Sequence, residues 1–160
     1  MFGFLKKKKD YSYTTSDEMK GLTCVYSDGS EIKYNDTDNT FYWYKTSGEH
    51  EDNYHYGTYE CYRGQNAADY TVDKGIMSEG ASNAYYRRNR GRRFNCMDNT
   101  IVLVFKNEYY LSNGEKKMQS LENALSGVSV YYGFFDGARA EMVNVNTGNT
   151  QMFAVSASSK

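Results

Sequence analysis

Three dipeptides, Asp28-Gly29, Asn113-Gly114 and Asp136-Gly137, each stand between short segments rich in Tyr, Val and Phe. Asp-Gly and Asn-Gly supply the positive φ angles that a tight two-residue hairpin turn requires, so much of the chain reads as antiparallel hairpins. No proline occurs in the 160 residues, which leaves the turns to Gly, Asn and Asp and removes one means of blocking edge pairing. Closing the sheet into a barrel removes the edges without proline.

The strand signals follow that punctuation. Leu22 to Tyr26 and Glu31 to Tyr34 flank Asp28-Gly29 as a first hairpin. Thr40 to Lys45 places Phe41 and Trp43 on one face and Tyr42 and Tyr44 on the other, so one face is expected to be buried while the other turns its hydroxyls outward. Tyr54 to Tyr62 continues with Tyr54, Tyr56 and Tyr62 on one side and His55, Tyr59 and Cys61 on the other, and Gly57 marks a bend or a close approach. The continuous apolar run Ile101-Val102-Leu103-Val104-Phe105 is expected to be a strand buried on both faces. Tyr109 to Leu111 and Asn113-Gly114 predict a further hairpin. Val128 to Phe135, Ala138 to Val145 and Gln151 to Ser156 predict a closing meander, with a bulge near Met142 to reconcile Ala138, Ala140 and Met142 with Val143 and Val145.

Helical signals are fewer. Residues 64–99 lose the two-residue alternation and predict short helices over Gln65 to Asp73 and Ser82 to Asn89. Met118, Leu121 and Leu125, spaced by three and four, predict a short helix ending at Gly127 that covers an end or edge of the sheet. The expected architecture is mainly β (α+β): an antiparallel meander or partly closed barrel with a short helical insertion and one short covering helix. Residues 1–10 are expected to be a basic tail and residues 11–160 a single domain.

Composition sets the character of the core. Leu, Ile, Val and Phe fill 26 positions, whereas Tyr alone fills 17, with one Trp. The interior is therefore expected to be aromatic, each packed ring burying roughly 150–250 Å². Nineteen basic and 20 acidic residues, a net charge of -1, create no global field for nucleic acid or an anionic membrane. Cys24, Cys61 and Cys96 match neither a disulfide framework nor a zinc pattern, so buried free thiols in a reducing compartment are expected. No apolar run of transmembrane length is present, and Met1 to Leu5 followed by Lys6 to Lys9 does not fit a signal peptide, so a cytoplasmic chain is expected.

Asn39-Thr40-Phe41-Tyr42-Trp43-Tyr44, Tyr56-Gly57-Thr58-Tyr59-Glu60-Cys61-Tyr62-Arg63-Gly64 and Met142 to Asn149 resemble segments of small uncharacterised bacterial proteins with lipocalin-like β architecture. The resemblance implies a meandering, partly closed barrel with a helical insertion, and it carries no functional residue.

The most distinctive polar segment is Tyr85-Tyr86-Arg87-Arg88-Asn89-Arg90-Gly91-Arg92-Arg93, which holds five of the seven arginines. Guanidinium groups pair with phosphates and stack on bases, so single-stranded nucleic acid is one possible partner, and a solvated basic segment is the competing reading. Lys6, Lys7, Lys8 and Lys9 beside Phe2, Phe4 and Leu5 could give weak membrane-surface contact, against a plain solubilising tail. His50 and His55 lie among three carboxylates but match no standard metal spacing. Asn35-Asp36-Thr37-Asp38-Asn39 lacks the glycine and distal glutamate of a calcium loop and predicts a turn held by Asx side chains. Cys61 and His55 are too far apart along one strand to form a nucleophile and base pair. No catalytic constellation, metal site or cofactor is expected. The expected function is a non-enzymatic binding or structural module that recognises a protein partner or a small apolar ligand through its tyrosines; a ligand inside the barrel would need a cavity of roughly 300 Å³ or more, with Trp43, Tyr59 and Phe134 as its candidate lining. The alternative is a nucleic-acid-binding accessory protein that uses Arg87 to Arg93.

Overall fold

A computed structural model describes residues 11–45, 54–78, 80–81, 94–112, 115–118 and 128–156, with backbone alone for residues 44, 45, 54, 55, 107–112 and 115–118. Along the chain lie β1 (Thr23–Tyr26), β2 (Ser30–Tyr34), β3 (Thr40–Lys45), β4 (Tyr54–Arg63), α1 (Gln65–Asp73), a 3₁₀ turn (Met97–Asn99), β5 (Thr100–Ser112), β6 (Glu115–Met118), β7 (Val128–Phe135), β8 (Arg139–Asn144) and β9 (Thr150–Val155). The strands run in the order β4-β3-β2-β1-β9-β8-β7-β5, and β4 pairs again with β5. That last pairing closes an eight-stranded up-and-down antiparallel barrel. β6 lies outside the ring, paired with the far end of β5 through Tyr109↔Met118 and Ser112↔Glu115.

The turn chemistry accounts for the order, with two changes of length, since β1–β2 and β7–β8 are each joined by three residues where two are expected. β1 and β2 are joined by three residues, Ser27 to Gly29, instead of the expected two; Gly29 takes φ 91°, and the Asp28 carboxylate accepts from Ser30 N–H at 2.9 Å and from its hydroxyl at 2.6 Å. The Asp28 carboxylate thus stabilises a longer loop with Gly29 in the left-handed region. Between β7 and β8, the Asp136 carboxylate accepts from the N–H groups of Ala138 and Arg139, each at 2.9 Å. The expected bulge near Met142 is absent: β8 keeps unbroken register with β7 and with β9. Ala140 and Met142 point inward and Val143 is half-buried on the outer side, so a strand with apolar residues on both faces explains the mixed phase without an extra residue. The β4–β5 register shifts instead between Tyr56 and Gly57, where the sequence places a glycine. Met118 ends β6 rather than opening a helix; residues 119–127, which carry the rest of that expectation, lie outside the described residues.

The inward phase of each strand builds one continuous core. Cys24 and Tyr26, Ile32 and Tyr34, Phe41, Tyr59 and Cys61, Ile101, Leu103 and Phe105, Tyr131 and Phe135, Ala140 and Met142, and Phe153 form a single buried cluster. Its rings interlock edge to face: Phe41 meets Phe105 at 5.0 Å, Phe105 meets Tyr131 at 5.8 Å and Tyr34 meets Tyr59 at 4.9 Å between centroids. Each such pair adds roughly 0.5–1.5 kcal/mol beyond the area it buries. The aromatic core expected from composition is thus the packed interior of the barrel.

The outward phase of β5 is buried as well. Val102 and Val104 pack with Tyr62, Ala67 and Tyr70 beneath α1, so the run Ile101–Phe105 is covered on both faces, as expected. Helix α1 occupies the predicted span, and its end is closed by Ile76 N–H donating to Thr71 C=O at 2.8 Å and Gly75 N–H to Val72 C=O at 3.1 Å. The segment before β1 straps this assembly together. Ser16 N–H donates to Cys61 C=O at 2.7 Å, Tyr13 OH to Asp73 at 2.7 Å, and Met19 is fully buried in the interior cluster. Arg63, at the end of β4, pairs with Glu18 of the strap, donates to Asp98 C=O at 2.9 Å and lies 5.8 Å from the Phe135 ring centre. The Glu18 carboxyl titrates above its ordinary value because burial outweighs the Arg63 charge.

Gly133 marks the tightest backbone approach. A Cβ there would lie 2.0 Å from Glu141 O and 2.9 Å from Met142 Cα. These are backbone atoms of the paired strand, so no side-chain rotation relieves the clash. Gly133→Ala should therefore lower stability by roughly 1–3 kcal/mol or more, read as an earlier urea midpoint with unchanged slope; an unchanged midpoint would show that β8 moves aside freely.

Candidate recognition surfaces

The three proposed cavity residues do not face a common space. Tyr59 lies in the interior cluster and Trp43 packs against it, 6.5 Å from Tyr26 between ring centres. Phe134 is on the opposite face of β7, buried with Ala68 and packed by Met77, Phe94 and Met97 outside the barrel wall. Residues alternate across a strand, and Tyr131 and Phe135 are the ones that β7 sends inward. Phe41, Phe135, Ile101, Leu103 and Met142 of the interior cluster are each less than 2 % exposed.

Inside this packing, the phenolic oxygens of Tyr34 and Tyr59 are buried and have no hydrogen-bond partner among the described residues. Burial pushes the Tyr59 hydroxyl up to about 12 and that of Tyr34 well above its ordinary value. Both rings are part of the packed interior cluster. Because an unpaired buried hydroxyl carries an uncompensated desolvation cost, Tyr34→Phe should be neutral or up to about 1 kcal/mol more stable, whereas Tyr34→Ala should lose roughly 3–5 kcal/mol. Thermal melts of the two variants check both signs.

A second group of tyrosines lies under α1. Tyr62 stacks on Tyr70 at 4.6 Å, and Tyr13 meets both edge-on at 5.4 Å. Their hydroxyls are engaged: Tyr62 donates to Glu60 at 2.7 Å and Tyr13 to Asp73. Donation to the Asp73 carboxylate, reinforced by burial, holds the Tyr13 phenol at about 12.

A third group faces outward. Tyr42 is 50 % exposed on the outer side of β3, with its ring centre 5.6 Å from that of Tyr56 on β4. The register extends this row: Lys33 stands opposite Tyr42, Tyr42 opposite Tyr56 and Tyr56 opposite Tyr109. One step along, Tyr44 stands opposite Tyr54. Helix α1 packs on β4 and β5 and, through Ala68, beside Phe134 of β7.

Most of the remaining candidates lie in segments outside the described residues or in buried positions. Tyr85, Tyr86, Arg87, Arg88, Arg90, Arg92 and Arg93, together with Lys6, Lys7, Lys8, Lys9 and His50, lie outside the described residues, and so does the predicted helix over Ser82 to Asn89. Among the described residues no group of three or more His, Cys, Asp or Glu could hold a metal, and no helix is long and apolar enough to cross a membrane. Residues 35–39 form the expected Asx turn: Asn35 accepts from Thr37 N–H at 2.9 Å and Asp38 from Thr40 N–H at 3.0 Å. All three cysteines are free and buried. Burial raises the thiols of Cys24 and Cys61 to about 12, which removes the thiolate needed for nucleophilic attack at neutral pH.

These shifts make the fold less stable at alkaline pH. An unfolded thiol releases its proton near pH 9, whereas the folded ones hold it to about 12, so their contribution is complete below pH 9 and drains as pH rises toward 12. Urea midpoints should fall across that window, less steeply for Cys24→Ala. Iodoacetamide at pH 9 should leave Cys24 and Cys61 unmodified until denaturant is added; rapid labelling of the native protein would contradict their burial.

No family model, no curated protein and no solved structure matches this chain.

Proposed function

We propose that this protein is a non-enzymatic, lipocalin-like barrel module that recognises a protein partner through the outward tyrosine face of β3 and β4. The observation that carries this reading is the half-exposed Tyr42 in ring contact with Tyr56, on a wall whose inner face belongs to the packed core. A rigid barrel wall holds the rings in fixed positions, and tyrosine adds large amphipathic contact area at small entropic cost. Lys33 and Glu31, opposite Tyr42 and Tyr44 in the register, supply charges of both signs at the rim. Among the described residues the inward side chains pack into one cluster, which supports external rather than internal recognition.

Replacing Tyr42 and Tyr56 together by Ser tests the assignment, because outward residues on a closed barrel can change without opening the core. The variant should keep the wild-type circular dichroism spectrum and melting behaviour within a few degrees. It should lose at least tenfold in affinity for whichever protein the immobilised wild type retains from its native extract. Full retention of every such protein by a folded double variant would place recognition elsewhere.

A further inference from the structure

Nearly opposite the tyrosine face around the ring, the outer surfaces of β1, β9 and β8 and the segment Phe94-Asn95 enclose a cleft of about 490 Å³. That volume falls within the range of small-molecule sites. Its floor is apolar: Val25 and Met152 remain 37 % and 52 % exposed, and Ala154 pairs with Val25 across the β1–β9 register. The ring of Phe94 forms a wall, with the Arg139 guanidinium carbon 4.7 Å from its centre. Asp136 approaches that guanidinium at Nε, 3.7 Å away, too far for a hydrogen bond. Arg139 thus stands beside an aromatic wall with donors still available to a ligand.

The cleft holds one opposite charge. Glu141 lies two residues along β8 on the same outer face and lines the same space. Among the described residues no Lys, Arg or His forms an ion pair with it. Two residues of strand separate the backbone positions of the cation and the anion by roughly 6.6–6.8 Å. An extended dipeptide spans a similar length, at roughly 3.3–3.6 Å per residue.

We infer that this cleft binds small zwitterions with apolar side chains, of the class of hydrophobic dipeptides. The ligand carboxylate meets Arg139, where a guanidinium can offer two parallel N–H donors, and the ammonium meets Glu141. The side chains cover Val25, Met152 and Ala154 and take that apolar surface out of water. A fatty-acid anion would leave Glu141 unanswered.

Calorimetric titration of the full chain with the dipeptide phenylalanyl-leucine tests the site, with its N-acetyl and C-amide derivatives in parallel. The expected result is saturable one-to-one binding of the free dipeptide, about tenfold weaker for either blocked derivative and for Arg139→Gln or Glu141→Gln. Met152→Arg should abolish binding; Met152 is half exposed, and an unchanged circular dichroism spectrum verifies that the variant folds. Absence of saturable binding at millimolar dipeptide would overturn the inference, as would equal affinity for the blocked forms or binding that survives Met152→Arg. The folded Tyr42→Ser/Tyr56→Ser variant should bind the dipeptide as the wild type does; loss there would move the site to the tyrosine face and overturn the cleft assignment.

Discussion

The pairing of β4 with β5, from Tyr54↔Leu111 to Arg63↔Ile101, turns a strand meander into a ring. Without it, two long strands would present unpaired backbone along their lengths, in a chain with no proline to block edge association. The pairing joins the two halves of the sequence across the α1 region and places β5 at the centre of the molecule. Its inward residues Ile101, Leu103 and Phe105 enter the barrel core while Val102 and Val104 carry α1 and the strap. The register shift at Tyr56/Gly57 lies within this seam, and a local bulge increases twist of the kind that closure requires.

Closure also sorts the tyrosines into three environments. Rings directed inward, such as Tyr34 and Tyr59, contribute area and leave their hydroxyls unpaired among the described residues. Rings under α1, such as Tyr62 and Tyr13, place theirs on carboxylates. The ring of Tyr42 stays half exposed on the outer wall. One residue type thus serves as core, as joint and as surface, and the strand face on which each falls decides which.

The local half of this logic was legible in the sequence. Hairpin turns at Asp28-Gly29 and Asp136-Gly137, the doubly buried run at Ile101–Phe105 and the helix at Gln65–Asp73 each follow from residues close together in the chain. The side of the wall was harder to read wherever both faces of a strand are apolar, because alternation then gives a phase without a direction. Phe134 is such a case: β7 sends Tyr131 and Phe135 inward, and α1 and the Phe94 segment bury the face left over. The apparent conflict of phase in β8 has the same origin, since Val143 is sheltered on the outer side by its neighbours and not by the core.

The cleft was invisible for a related reason. Arg139 and Glu141 look like ordinary outward charges on a strand, and nothing near them in sequence marks Val25, Met152 or Phe94 as their neighbours. Those residues meet because the ring brings β1 beside β9 and β9 beside β8, while the chain leading into β5 crosses the outer wall. A barrel whose inward side chains form one packed cluster leaves its outer wall as the place where residues can change without disturbing that core. The outward side chains of β1, β3, β4, β8 and β9 are in that position, and both recognition surfaces inferred for this protein draw on them.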